Sequence, residues 1–130
     1  MPQREGRDLA LVLLERADGD IALVRHVRDN ADIPDAIVGF HAQQAVEKSV
    51  KAVLAAHDID YTKTHLLGYL IGLVQTNGID APPSVLEAAE LNPWAVEFRY
   101  ETDSEPALDR DATLGLIEEV RRWADAEIQG

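Results

Sequence analysis

Residues 34 to 57 read PDAIVGFHAQQAVEKSVKAVLAAH, and whether this run coils or extends decides the fold. Pro34 suits the first turn of a helix, where its missing N–H leaves no bond unmade, and Asp35 beside it complements the positive end of the helix dipole. Ala42, Ala45, Ala52, Ala55 and Ala56 have high helix propensity. At about 100° per residue, Ala42, Ala45, Val46, Val50, Ala52 and Val53 share a broad apolar arc. His41, Gln44, Lys48 and Lys51 fall opposite them within about 80° of one another. The spacing predicts a helix with one polar stripe.

The flanking sequence reads the same way. Residues 64 to 75, THLLGYLIGLVQ, start at Thr64, a plausible N-cap, and run into Asn77-Gly78, a stop signal. Leu66, Leu67, Leu70, Ile71 and Val74 recur at helical spacing and predict a largely buried helix. Pro82-Pro83-Ser84 opens a short helix, Val85 to Leu91, which Asn92-Pro93 ends or bends into a further turn through Phe98. Asp109 to Ile128 closes the chain with Leu114, Ile117, Val120, Trp123, Ala124 and Ile128 along one face. Leu9 to Val27 has two readings. Asp18-Gly19 could turn a hairpin, but Leu9 to Leu14 do not alternate, whereas Ala10, Leu13, Leu14, Ala17, Ile21, Val24 and Val27 keep helical spacing. The periodicity favours one long helix carrying Gly19 at a cost of about 1 kcal/mol relative to Ala. The expectation is an all-α, up-and-down bundle of four or five helices, one domain over residues 1–130.

Composition narrows the function. A chain of 130 residues that is 46% apolar can bury a core without staples, and it contains no cysteine, so disulfides and thiolate chemistry are excluded. A net charge of −12, with no Lys or Arg between Thr64 and Phe98, argues against general nucleic-acid binding. The amino-terminal residues carry no secretory pattern. The least charged stretch, Thr64 to Leu86, is broken by Gly72, Asn77, Gly78 and two prolines, unlike a membrane span. A cytoplasmic setting away from membranes is expected. There is no Gly-rich phosphate loop and no nucleophile elbow, and His57, Asp58 and Asp60 lack the spacing of a metal site. No cofactor or metal is expected.

Phe40-His41-Ala42-Gln43-Gln44-Ala45-Val46-Glu47-Lys48, followed by Val50-Lys51-Ala52 and then Lys63-Thr64-His65-Leu66-Leu67, resembles the signature of the HEPN domain family. The pair Arg99-Tyr100 before the last helix is similar to that family's, and the resemblance covers roughly residues 8 to 128. Leu66 departs from it, standing where the family tends to have a polar residue. The resemblance implies a compact helical bundle, usually dimeric, often encoded beside a minimal nucleotidyltransferase with which it forms a toxin-antitoxin or related pair. Many relatives are metal-independent ribonucleases, in which an arginine precedes a histidine by four to six intervening residues. Histidine there moves the proton of a 2′-hydroxyl and arginine stabilises the charged phosphorane.

That arginine-histidine spacing is missing. Positions five to seven residues before His26, His41, His57 and His65 hold no arginine, and no histidine follows Arg99. Lys51 stands six residues before His57, but lysine lacks the planar guanidinium fork. The expected function is therefore a non-catalytic module that binds a nucleotide or a protein, partnered with a nucleotidyltransferase and homodimeric. The alternative is a ribonuclease toxin with a degenerate site built from Arg99, Lys48, Lys51 and His41. The candidate ligand-binding residues are His41, Gln44, Lys48, Lys51, Arg99 and Tyr100. The same stripe could instead be solvated, or hydrogen-bonded internally to neighbouring helices, Glu47 and Arg99.

Overall fold

The computed structural model describes residues 2–95 and 107–130, and among these there is no strand. Five α-helices follow one another: α1 (Pro2–Val27), α2 (Asp35–Ala56), α3 (Leu67–Thr76), α4 (Pro83–Glu87) and α5 (Arg110–Gln129). A 3₁₀ segment, Ala88–Ala95, continues directly from α4. Arg99 and Tyr100 lie outside the described residues, as does any turn reaching Phe98. The all-α bundle expected from periodicity is the fold observed.

The run that decides the fold is also its centre, because α2 packs against α1, α3, α5 and the 3₁₀ segment. Fourteen of its residues are buried, including Gln43, Glu47 and Ser49, so little of the helix faces water. A helix enclosed on several sides needs polar groups with internal partners. Leu9 to Val27 is one helix, with Ala10, Leu14, Ala17, Ile21 and Val24 all buried and Gly19 on the outer side with nothing near it. The hairpin fails because two strands would have split that inward row.

Two glycines permit close approaches. A Cβ at Gly6 would collide with the Ala55 carbonyl, so α1 lies directly on the end of α2. At Gly39 it would come within 2.5 Å of the Trp94 ring, so this gap in the α2 surface seats the 3₁₀ segment. The helix ends share one device. After α2, Asp58 takes a positive φ of 54°, Asp58 N–H bonds Ala55 and Ile59 N–H bonds Leu54; after α3, Gly78 at 77° repeats this with Gln75 and Val74. Both are Schellman turns, which glycine enters freely and aspartate at some cost.

The N-terminus of α3 corrects the expected cap. Its N-cap is Leu66, not Thr64, and no side chain at that position caps it. The Thr64 hydroxyl accepts from Leu66 N–H at 3.1 Å, while Asn92 of the 3₁₀ segment accepts from Leu67 N–H at 2.7 Å. A remote amide thus does what a local hydroxyl was expected to do. Arg110 is a second remote tie. Its guanidinium donates to Asp35 at 2.9 Å and to the carbonyls of Val27, Asn30 and Ile33, closing the loop between α1 and α2 against the start of α5.

Candidate functional site: a polar stripe neutralised from below

Helical spacing puts His41, Gln44, Lys48 and Lys51 along one side of α2, and all four are half-buried. They divide between two carboxylates. Asp20, on the last half of α1, takes Lys48 Nζ on Oδ2 at 2.6 Å and His41 Nδ1 on Oδ1 at 2.9 Å. Glu47, one turn along α2, takes Lys51 Nζ on Oε2 at 2.9 Å. Its Oε1 receives Gln43 Nε2 at 3.0 Å and His65 Nδ1 at 2.9 Å. Gln43 also donates to the His65 carbonyl and accepts from Gln44 Nε2 at 2.8 Å. Gln44 is thereby wired to Glu47 through its neighbour.

Burial makes these bonds strong and their absence expensive. Glu47 and Gln43 are buried outright, and the Asp20 side chain is only 10% exposed. Burial pushes the Glu47 carboxyl up, but hydrogen bonds from Lys51, Gln43 and His65 and the Lys51 charge outweigh it and hold the group below its ordinary value. Tyr61 lies under Lys51, whose Nζ is 5.7 Å from the ring centroid. Its hydroxyl is raised, first by burial and then by the negative Glu47.

Chemically, the stripe is not an open cluster of cations. Two ammonium groups are matched by two carboxylates, so the net charge with neutral imidazoles is zero and a phosphate would have to displace 2.6 and 2.9 Å ion pairs. Because an ionised carboxylate only accepts, each histidine donates from Nδ1 and keeps Nε2 without a partner among the described residues. The His65 side chain is 69% exposed, so its Nε2 is open to a ligand. Two grooves lie elsewhere. One of about 430 Å³ is lined by Glu87, Glu90 and Glu119, and one of about 390 Å³ by Glu5, Asp58 and Asp60. Carboxylates at both repel a phosphate.

Sequence reasoning brought the four stripe residues together correctly in space and missed the acid beneath them. Asp20 left one signal: it occupies a core-facing position of an amphipathic helix, in register with Leu13, Ala17 and Val24, where an ionised group needs a partner. The bond of His65 to Glu47 is a structural tie that leaves the rest of the ring in solvent.

A helical bundle organised around a central helix of this pattern defines a class, the HEPN-type bundles. The family model for the HEPN domain matches residues 10–127, and the chain belongs to the HEPN domain family. No curated protein and no solved structure matches it. Membership connects the chain to nucleotide- and RNA-related or toxin-antitoxin modules. Among the described residues, no helix is long and apolar enough to cross a membrane.

Proposed function

We propose that this chain is a non-catalytic HEPN module of the cytoplasm, a homodimer that partners a minimal nucleotidyltransferase in a toxin-antitoxin-type pair and offers its α2 stripe to a nucleotide or to that protein. The observation that carries the reading is the neutralised stripe. Lys48 and Lys51 are held by Asp20 and Glu47 rather than left to grip a scissile phosphate. What the stripe offers is hydrogen bonding: the free edges of His41 and His65 and the carbonyl of Gln44, suited to a base edge or a peptide. The absent arginine-histidine spacing supports the same conclusion.

A second reading has one observation in its favour. His41 on Asp20 and His65 on Glu47 are imidazoles oriented by buried carboxylates, an arrangement suited to proton transfer. An RNA-cleavage assay on the purified protein, with Lys51→Ala and His41→Ala beside it, separates the two. No turnover in any of the three is expected; robust cleavage lost in either variant would replace the binding reading by a ribonuclease. Co-purification with a nucleotidyltransferase encoded in the neighbouring reading frame tests the partner, and failure of the two to associate would remove it.

A further inference from the structure

We propose that the groove between α4 with its 3₁₀ continuation and the first half of α5 docks a basic stretch of a partner protein, whose arginine or lysine stems lie on apolar surface while their charged heads meet an acidic rim. Nothing in this depends on what the α2 stripe holds. The groove encloses about 430 Å³. Glu87 and Glu90 stand on one wall and Glu119 on the other, all three exposed and without a partner among the described residues. Leu91 and Leu116 supply apolar surface beside them, and no described residue lining the groove is basic. An acidic rim next to apolar side chains suits a long cationic side chain, which needs both.

The chain supplies little to neutralise that rim. Between Thr64 and Phe98, a stretch that includes α3, α4 and the whole 3₁₀ segment, there is no Lys or Arg. On α5, Arg110 is tied to Asp35 and Arg121 to Asp18, and Arg122, three residues beyond Glu119, makes no ion pair with it among the described contacts. The stretch joining the two walls, residues 96–106, sets Glu97, Glu101, Asp103 and Glu105 against Arg99 alone. Charge therefore favours a cation from another molecule, and the net charge of −12 draws one in.

Thr113 points to a docked chain rather than to attraction alone. It lines the groove and is only 7% exposed, yet its hydroxyl has no hydrogen-bond partner among the described residues. No side-chain oxygen among the described residues is both fully enclosed and unpaired, so this hydroxyl reaches open space, and the groove is the space that Thr113 lines. A nearly buried hydroxyl without a partner is unfavourable, and a peptide N–H or C=O entering the groove satisfies it. Gly115 keeps the α5 wall low, since a Cβ there would meet nothing within 4 Å. Glycine weakens the interior of a helix, and here it leaves room for an occupant.

The test is a titration of the isotope-labelled protein with the tetrapeptide Arg-Leu-Arg-Leu, followed by amide NMR shifts in about 0.15 M salt, where exposed charges are screened beyond about 8 Å. Shifts should gather on Glu90, Leu91, Thr113 and Gly115. Glu90→Gln/Glu119→Gln should weaken binding roughly tenfold, whereas Glu5→Gln/Asp60→Gln, which removes the same charge at the other groove, should change it less than about twofold. Equal losses would mean attraction to net charge and overturn the proposal. Thr113→Val should weaken binding about threefold, and an unchanged affinity would show that nothing docks against the hydroxyl. Gly115→Leu fills the groove and should abolish binding while raising the midpoint of thermal unfolding, a pair of results that misfolding cannot produce. If Arg99→Ala tightens binding, the chain's own arginine occupies the groove; if magnesium alone produces the same shifts, the rim is a metal-ion site. Either result overturns the proposal.

Discussion

Asp20 and Glu47 perform the same task from different places. Each receives one lysine and one histidine, yet Glu47 draws on its own helix and the loop after it, while Asp20 reaches across from α1 to residues 21 and 28 positions further along the chain. Their surroundings differ too. Around Glu47, Gln43 is fully buried and the Lys51 side chain is 14% exposed; around Asp20, Lys48 is 24% exposed and His41 26%. The lesson is that an ion network's contribution depends on whether the groups left behind can find water once one partner is gone.

This difference predicts the larger effect at Glu47. Glu47→Ala strands a buried amide and an enclosed ammonium together, and should cost about 3–5 kcal/mol by denaturant unfolding, the range for breaking a buried pair. Asp20→Ala leaves Lys48 and His41 able to turn outward, so a smaller loss of about 1–3 kcal/mol is expected. The footprints should differ as well: faster amide exchange over residues 59–66 for Glu47→Ala, and over α1 for Asp20→Ala. Equal losses, or a larger one at Asp20, would mean that local exposure is the wrong guide and that joining two helices matters more.

The same contrast explains what could be read from the chain. Helix α2 and its stripe were legible because alternation of Ala and Val with His41, Gln44, Lys48 and Lys51 is a local signal, and Glu47 lies within that run. The inward row of α1 was legible for the same reason. Asp20, Asn92 and Arg110 were not, because what each does depends on a contact made across the bundle: an ion pair from α1, a cap for α3 and a clasp on the α1–α2 loop. Thr64 shows the converse error. The hydroxyl has the chemistry of a cap, but it bonds Leu66 N–H, and the remote Asn92 serves the first turn of α3 instead. Asp20, brought in by a tertiary contact, and Glu47, one turn away on the same helix, together turn an apparent cationic face into a neutral one.

The smallest effect sharpens the comparison through pH. With its folded-state value held below the ordinary one, the Glu47 carboxyl contributes stability that is fully present above the unfolded-state pKa of about 4.3 and is lost as pH falls through the folded value. Glu47→Gln removes that titration while keeping the shape and a carbonyl acceptor for His65. The variant should therefore be less stable at neutral pH, and the gap between it and the parent should narrow below about pH 4.3. Because burial opposes the hydrogen bonds at this carboxyl, the narrowing should be modest beside the loss in Glu47→Ala. Urea unfolding of both proteins from pH 7 down to pH 3 measures it. Stability curves that stay parallel through the acid range would show that the carboxyl gains nothing from its three donors on folding, and the distinction between the two acids would then rest on burial alone.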